Sequence, residues 1–184
     1  MHQRSRNEPF VHVQVAQNHM ATTFYFTLSV AKRDAARAEK LLLQAHAEVD
    51  RLENELSEFK ENSPIYQLNH AAVGERIRLT DSALELLERA EVIRKQTKGA
   101  FDCTSKSASQ RRSTEKFAWS SSTQEAWKLE EGVWIGFGAI GKGFALDKVR
   151  IEVERQGFSN FVLNAGGSSL IFAGFSQPGV PWEW

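Results

Sequence analysis

The sequence predicts an α+β fold in which an antiparallel sheet packs against long helices. Three observations support it: two neighbouring runs in which apolar and polar residues alternate, two segments with helical periodicity, and a strand, helix, strand pattern toward the end of the chain. With 184 residues, 41% of them hydrophobic, the chain is long enough to bury one core. We therefore expect residues 1–184 to form a single domain.

The first predicted element is a pair of antiparallel strands. Apolar and polar residues alternate from Val11 to Val15, and the same pattern returns from Phe24 to Val30. Because a period of two places the apolar side chains on one face, each run is typical of a half-buried strand. We expect the two strands to be joined across His19 and Met20 at an edge of the sheet.

Two amphipathic helices are predicted next. Apolar residues recur at three- and four-residue spacing from Ala38 to Leu56, and Asp34 is a candidate N-cap for this helix. The second helix is indicated by Ser82 and Glu85 in capping-box spacing and by Gly99 just past its end. Both helices carry one apolar face, so both are expected to cover the core.

The rest of the chain is predicted to be a connection followed by a strand, helix, strand unit. Residues 103–124 are rich in serine, arginine and lysine and show little periodicity, which indicates a solvated connection. The sequence VWIGF at 133–137 predicts a strand, residues 142–155 predict a helix, and FVLN at 161–164 predicts the second strand.

Charge and composition argue against several classes of protein. Lysine plus arginine and aspartate plus glutamate are equal at 23 each, so no overall field attracts nucleic acid. No apolar run is long enough for a signal-peptide core or a transmembrane span, so the chain as written is expected to be cytoplasmic. The single cysteine, Cys103, cannot form an internal disulfide, and the histidines lack metal-ligand spacing. His46 is predicted to be structural or solvated.

The glycine-rich stretch GFGAIGKGFALD, Gly136 to Asp147, matches two nucleotide-binding signatures. It satisfies both the dinucleotide fingerprint G-x-G-x-x-G and the G-x-x-x-x-G-K of a P-loop. A P-loop needs a serine or threonine after its lysine to bind magnesium, but Gly143 follows Lys142. The dinucleotide fingerprint needs an acidic residue at the end of the next strand, where this chain has Asn164. Neither signature is complete.

The features shared by the two signatures leave two interpretations open. Glycines let a backbone approach a phosphate closely, the first amides of a helix face an anion, and Lys142 adds a positive charge there. Alternatively, the glycines form only a tight turn and Lys142 is a solvated residue of the first helical turn. From the loop alone both interpretations stand.

Five segments in register resemble one known family. They are MATTF at 20–24, LSEFKENSPIYQLNHAA at 56–72, TKGAFDCT at 97–104, GAIGKGFALD at 138–147 and LNAGGSS at 163–169. In this order and rough spacing they resemble the FAD:protein FMN transferases, the ApbE family. Members usually read M-G-T, S-x-x-S-x-x-x-x-L-N, G-A-F-D-P, D-L-G-A-I-A-K-G-Y-A-x-D and N-x-G-G. The resemblance covers nearly the whole chain.

The resemblance implies a T-fold-like α+β architecture with a cleft for FAD. It implies magnesium-dependent cleavage of the FAD pyrophosphate, transfer of the FMN half to a serine or threonine of a target flavoprotein, and release of AMP. Members are often exported and anchored at the periplasmic membrane. The residues at FAD-contacting positions would be Met20, Phe59, Ala100, Phe101, Asp102 and Lys142, and Ala139 would offer its backbone carbonyl to the metal.

Each of these residues also has an ordinary structural interpretation. Met20 and Phe59 would be core residues, Asp102 a turn former, and Asp147 a surface or packing residue. The pair Gly166 and Gly167 would only close a turn, although the family places it beside the flavin.

The chain departs from the family pattern in three places. Gly136 replaces the aspartate of D-L-G-A-I-A-K-G, and Cys103 replaces the proline of G-A-F-D-P. The chain also ends at PWEW, whereas members continue for about another hundred residues with a histidine, aspartate and proline motif that helps to hold magnesium. We therefore expect a carboxy-terminally shortened transferase with an incomplete metal site and weak turnover. A non-catalytic FAD-binding or interaction protein of the same fold is the main alternative, and a dinucleotide-dependent oxidoreductase is a further one.

Overall fold

The computed structural model describes residues 9–107 and 116–183. They form two compact units. The first contains the described parts of Met1–Asp50 and Lys142–Trp184, and the second contains those of Arg51–Gly141. No helix within the described residues is both long and apolar enough to cross a bilayer.

The predicted mixture of helices and antiparallel strands is confirmed. The strands are β1 (Phe10–His19), β2 (Thr22–Ala31), β3 (Ile77–Arg78), β4 (Phe117–Ser120), β5 (Glu125–Lys128), β6 (Phe161–Ala165) and β7 (Ser169–Ala173). The helices are α1 (Ala35–Leu56), α2 (Pro64–His70), α3 (Asp81–Gln96) and α4 (Gly141–Arg155). The first unit holds an antiparallel sheet in the order β1-β2-β6-β7, and the second holds a smaller one in the order β3-β5-β4.

The hairpin of β1 and β2 has the predicted pairing but a different turn. Phe10 lies opposite Ala31 and His19 lies opposite Thr22, so the turn consists of Met20 and Ala21. It begins one residue later than predicted because His19 still belongs to the ladder. Both turn residues have positive φ, 47° for Met20 and 61° for Ala21, as a type I′ hairpin turn requires. Strand β1 is an edge strand with alternating exposure, as the sequence indicated.

Replacing Ala21 by glycine is expected to stabilise the protein. A left-handed conformation costs a residue with a Cβ about 1–2 kcal/mol, and glycine avoids this cost. Part of the benefit is lost because glycine has more conformational freedom in the unfolded chain. We expect Ala21→Gly to raise the free energy of unfolding by about 0.5–1 kcal/mol, measured by urea denaturation. Ala31→Gly is the control, since Ala31 is extended with φ −61° and should lose stability. A loss of stability in Ala21→Gly would contradict this account of the turn.

A buried pair of imidazoles ties α1 to this hairpin. The ring of His46 is fully buried and stacks on Phe26 of β2 at a centroid distance of 4.4 Å. Its Nε2 lies 3.1 Å from the carbonyl of Val15, and its Nδ1 lies 2.9 Å from Nε2 of His19. Burial lowers the pKa of His46 because the charged ring would lose hydration. His46 is therefore structural, which is one of the two roles predicted for it.

The second predicted helix starts earlier than expected. The oxygen of Thr80 accepts the amide hydrogen of Ala83 at 3.3 Å, so Thr80, not Ser82, is the N-cap of α3. Ser82 is buried inside the first turn. The stop signal is confirmed: Gly99 has φ 86° and its amide donates to the carbonyl of Arg94.

The short helix α2 was not predicted from the sequence. Its N-cap is Ser63, whose hydroxyl accepts the amide hydrogen of Ile65 at 3.2 Å. Pro64 occupies the first helical position, where its missing N–H costs nothing. The proline and the polar residues before it have the composition of a helix breaker, although here they begin a new helix.

The connection predicted over residues 103–124 is partly wrong. Residues 117–120 form β4, which pairs with β5, and Phe117 is buried. Residues 108–115 lie outside the described part of the chain.

The predicted strand at 133–137 does not belong to either sheet. Side chains satisfy its backbone instead of a neighbouring strand. Asn69 donates from Nδ2 to the carbonyl of Ile135 at 2.8 Å, and its Oδ1 accepts from the amide of Ile135 at 2.7 Å. Ser107 exchanges two further hydrogen bonds with the backbone of Trp134. The run is buried like a strand because these side chains replace the ladder.

Candidate functional site

The predicted site residues are divided between the two units. Met20 and Lys142 belong to the first unit, and Phe59, Ala100–Asp102 and Ala139 belong to the second.

In the first unit, the turn at Met20 contacts the glycine pair that follows β6. The amide of Gly166 donates to the carbonyl of Thr23 at 3.1 Å. A Cβ on Gly166 would lie 2.3 Å from the hydroxyl oxygen of Thr22, and Gly166 has φ 64°. Only glycine fits there. The M-A-T and N-A-G-G segments, far apart in sequence, are thus brought together at one end of the sheet.

Asn164 builds the turn beside this contact. It is buried, and its Oδ1 accepts the amide hydrogen of Gly167 at 2.8 Å. A dinucleotide site would need an acidic group here for the ribose hydroxyls. The side chain of Asn164 is instead committed to its own turn, which argues against the oxidoreductase alternative.

The glycine loop leads into the amino terminus of α4. The amides of Ile140 and Gly141 both donate to the carbonyl of Phe137. Neither Gly138 nor Gly143 has a positive φ, and a Cβ on either would meet no atom within 4 Å. The fold of the described chain does not require glycine at these two positions. A turn-only interpretation of the loop therefore leaves both glycines unexplained, whereas a ligand lying close to the backbone would explain them.

Lys142 lies in the first turn of α4 and is half-buried. Its ammonium makes no hydrogen bond or ion pair with any residue that the structure describes. An uncompensated ammonium beside the positive end of a helix is electrostatically unfavourable. Such an arrangement suits an anion that both groups would bind.

In the second unit, Asp102 organises the G-A-F-D turn. Its Oδ1 accepts hydrogen bonds from the amide and the hydroxyl of Thr104, both at 2.7 Å. The buried ammonium of Lys116 donates to the same hydroxyl oxygen at 3.2 Å. Asp102 therefore does what its turn-former interpretation predicts, while Ala100 is exposed and Phe101 half-buried beside it.

The turn and the glycine loop are joined through Cys103. The amide of Gly136 donates to the carbonyl of Cys103 at 2.9 Å. The thiol is buried, and burial raises its pKa to about 12, so it is protonated and unreactive at neutral pH. Cys103 thus serves as a small packing residue where the family pattern has proline.

Phe59 is not a core residue. Its ring is 76% exposed, which rules out the core interpretation. The preceding turn fixes its position, because the hydroxyl of Ser57 accepts the amide hydrogens of Phe59 at 3.1 Å and Lys60 at 3.2 Å. The ring therefore presents an open face on which a planar ligand could stack.

Glu58 was not predicted from the sequence as a site residue. Its side chain is buried, with Oε1 2.6 Å from the ammonium of Lys106 and Oε2 2.5 Å from the indole nitrogen of Trp134. The carboxylate lies against Gly136. An acidic residue in the run LSEFKENSP gives no sequence signal for burial, because its partners come from two later segments.

The carbonyl of Ala139 lies in an exposed turn. Magnesium takes six oxygen ligands in octahedral geometry. Asp102 and Glu58 already accept hydrogen bonds from other groups. Proteins usually bind this ion through one or two side chains, with water and substrate phosphates as the other ligands.

Comparisons with known proteins show which family this chain matches. The model of the ApbE family matches residues 20–183. The FAD:protein FMN transferase of Klebsiella pneumoniae (strain 342) is 23% identical, in an alignment that covers 86% of this chain and 53% of that protein. This chain therefore spans about half the length of its curated relative.

Solved structures show the same fold. The flavin transferase ApbE from Vibrio cholerae superposes with a TM-score of 0.82 at 18% identity, over 95% of this chain and 63% of that one. The apo flavinyl transferase ApbE of Pseudomonas stutzeri gives a TM-score of 0.80 at 18% identity, over 94% and 62% of the two chains. The predicted α+β architecture of this family is thereby confirmed.

Proposed function

The chain belongs to the ApbE family, and we propose from this premise that it binds FAD and acts as an FAD:protein FMN transferase. In the proposed reaction the FAD pyrophosphate is cleaved, FMN passes to a serine or threonine hydroxyl of a target flavoprotein, and AMP leaves. The curated relative is a transferase of this name.

One observation carries the proposal: the amino terminus of α4 is arranged for a phosphate. Among the described residues, no atom fills the space beside the backbone of Gly143, and the neighbouring Lys142 has no partner. Helix amides and a lysine ammonium together stabilise the negative charge of a phosphate. FAD carries a pyrophosphate, so this position would bind the group that is cleaved.

The other predicted residues have supporting roles. Lys142 would neutralise charge on the pyrophosphate as its bond breaks. Phe59 and Met20 would pack on the flavin or adenine ring. Asp102 would hold the turn that presents Ala100 and Phe101, because its Oδ1 already accepts two hydrogen bonds.

Magnesium is the metal we propose, with the carbonyl of Ala139 as one of its ligands. When bound, it would supply further positive charge at the pyrophosphate. Water and phosphate oxygens would be its other ligands, and the carboxylates of Asp102 and Glu58 already accept hydrogen bonds from other groups. The second candidate function is a protein that binds FAD without catalysis.

A transfer assay separates the two functions. The 184-residue chain is incubated with FAD, magnesium and an acceptor flavoprotein domain, and AMP release and covalent flavin fluorescence on a denaturing gel are followed. We expect transfer slower than that of a full-length relative by orders of magnitude, because losing metal stabilisation costs several kcal/mol and each 1.36 kcal/mol is about tenfold in rate. Transfer at the relative's rate would contradict this expectation and show that the metal site is completed.

A further inference from the structure

The buried carboxylate of Glu58 has one hydrogen-bond partner on each of its two oxygens. Lys106 donates to Oε1 at 2.6 Å and the indole of Trp134 donates to Oε2 at 2.5 Å, while the Glu58 residue is only 6% exposed. A buried carboxylate is tolerated only when hydrogen bonds and an opposite charge replace its hydration. Glu58 meets this condition because two later segments of the second unit converge on it.

Glycine at position 136 makes room for this carboxylate. A Cβ on Gly136 would lie 3.0 Å from Oε1 and 3.1 Å from Oε2 of Glu58, closer than carbon and oxygen atoms normally pack. The carboxylate cannot easily move aside, because Lys106 and Trp134 hold both oxygens. An aspartate at position 136 would add a second negative charge against the first. A side chain at 136 would therefore push the Glu58 carboxylate by a few tenths of an ångström against its two hydrogen bonds.

The carboxylate also fixes where the charge of Lys106 lies. The ammonium of Lys106 is 5.6 Å from the centroid of the Phe59 ring. The Lys106 side chain is 59% exposed and the Phe59 residue is 76% exposed. One buried group thus holds an exposed cation beside an exposed aromatic face. That surface is suited to a planar ring that carries a negative charge nearby.

We propose that Glu58 is a positioning residue that takes the place of the aspartate at 136, and that Lys106, which it holds beside Phe59, is a further FAD-binding residue of this chain. The inference rests on the proposed function, since FAD is the anionic aromatic ligand. Glu58 acts through Lys106 and does not itself contact the ligand.

The binding part is tested with a double-mutant cycle on the full chain. FAD affinity is measured by flavin fluorescence for Lys106→Met, Glu58→Gln, the double variant and the wild type. We expect Lys106→Met to weaken binding about fivefold, from the size of an exposed cation and aromatic interaction. Glu58→Gln should weaken binding by a similar factor, and the double variant should be no weaker than either single one. Lys95→Met, which removes an exposed lysine of α3 paired with Glu91, is the control and should leave FAD affinity unchanged.

The positioning part is tested by unfolding, without FAD. Gly136→Asp should destabilise the wild type strongly and should destabilise a Glu58→Thr background far less, because the competing carboxylate is gone.

A salt titration adds a readout that a purely structural role would not change: FAD binding to the wild type should weaken with salt more steeply than binding to Lys106→Met.

The outcomes are distinguishable. Equal FAD affinity of Lys106→Met and the wild type would overturn this inference and leave the proposed function intact. Additive losses in the double variant would show that Glu58 does not act through Lys106. Equal destabilisation by Gly136→Asp in both backgrounds would overturn the exchange at position 136. A folded wild-type chain that binds no FAD would overturn the proposed function and the role of Lys106 with it.

Discussion

Replacing Lys142 by methionine is expected to weaken FAD binding by about tenfold to a hundredfold. A hydrogen bond to a charged group contributes about 1.5–3 kcal/mol, and each 1.4 kcal/mol is about tenfold in affinity. Methionine keeps the length and apolar stem of the side chain and removes only the ammonium. The loss should be near the upper end, because Lys142 is half-buried and has no competing partner in the described chain. Equilibrium dialysis with FAD measures the change.

Lys148→Met is the matched control, because Lys148 lies on the same helix and its ammonium faces the ring of Phe144 at 5.1 Å. It should change FAD affinity little. A second variant, Gly143→Ala, removes no charge. It should raise helix stability by about 0.5–1 kcal/mol and weaken FAD binding, since its methyl group would enter the open space at the loop. Unchanged affinity in both Lys142→Met and Gly143→Ala would establish the turn-only interpretation of this loop.

Replacing Asn69 by leucine is expected to have the largest effect on stability, a loss of about 3 kcal/mol. The side chain of Asn69 satisfies both the N–H and the C=O of Ile135, which is fully buried. Leucine has a similar size but leaves both groups without partners, and each buried orphan group costs about 1–3 kcal/mol. The same bonds hold the segment that leads into the glycine loop, so FAD affinity should fall as well.

Urea denaturation followed by circular dichroism measures this loss. Asn62→Leu provides the control, because Asn62 lies exposed in the loop before α2, and its substitution should change stability by less than about 0.5 kcal/mol. A loss below about 1 kcal/mol in Asn69→Leu would mean that water or a neighbouring group replaces the two hydrogen bonds.

The sequence predicted the elements that local patterns determine. Strict alternation gave β1 and β2, and helical periodicity gave α1, α3 and α4, since burial on one face follows directly from those periods. One error lies where side chains from distant segments complete the hydrogen bonds of the backbone. The run at 133–137 has the composition of a strand, yet Asn69 and Ser107 supply its hydrogen bonds.

The site residues were predicted from family motifs. For several of them the structure shows the exposure and the hydrogen-bond partners. Phe59 has an exposed ring, Lys142 has no partner among the described residues, and Asp102 holds its turn. The binding roles of these three residues stay predictions. Glu58 was missed because its burial depends on contacts with Gly136, Lys106 and Trp134, which are distant in sequence. Long-range contacts of this kind have no local pattern, so one sequence alone does not reveal them.

The most direct test of the central claim is equilibrium dialysis of the full chain against FAD and, in parallel, against riboflavin. Riboflavin has the same ring system but no phosphate. If the amino terminus of α4 and Lys142 bind the pyrophosphate, FAD should be retained at micromolar concentrations and riboflavin should bind at least about tenfold more weakly. No FAD uptake at high micromolar concentrations by a chain with a folded circular dichroism spectrum, or equal binding of the two flavins, would contradict the account.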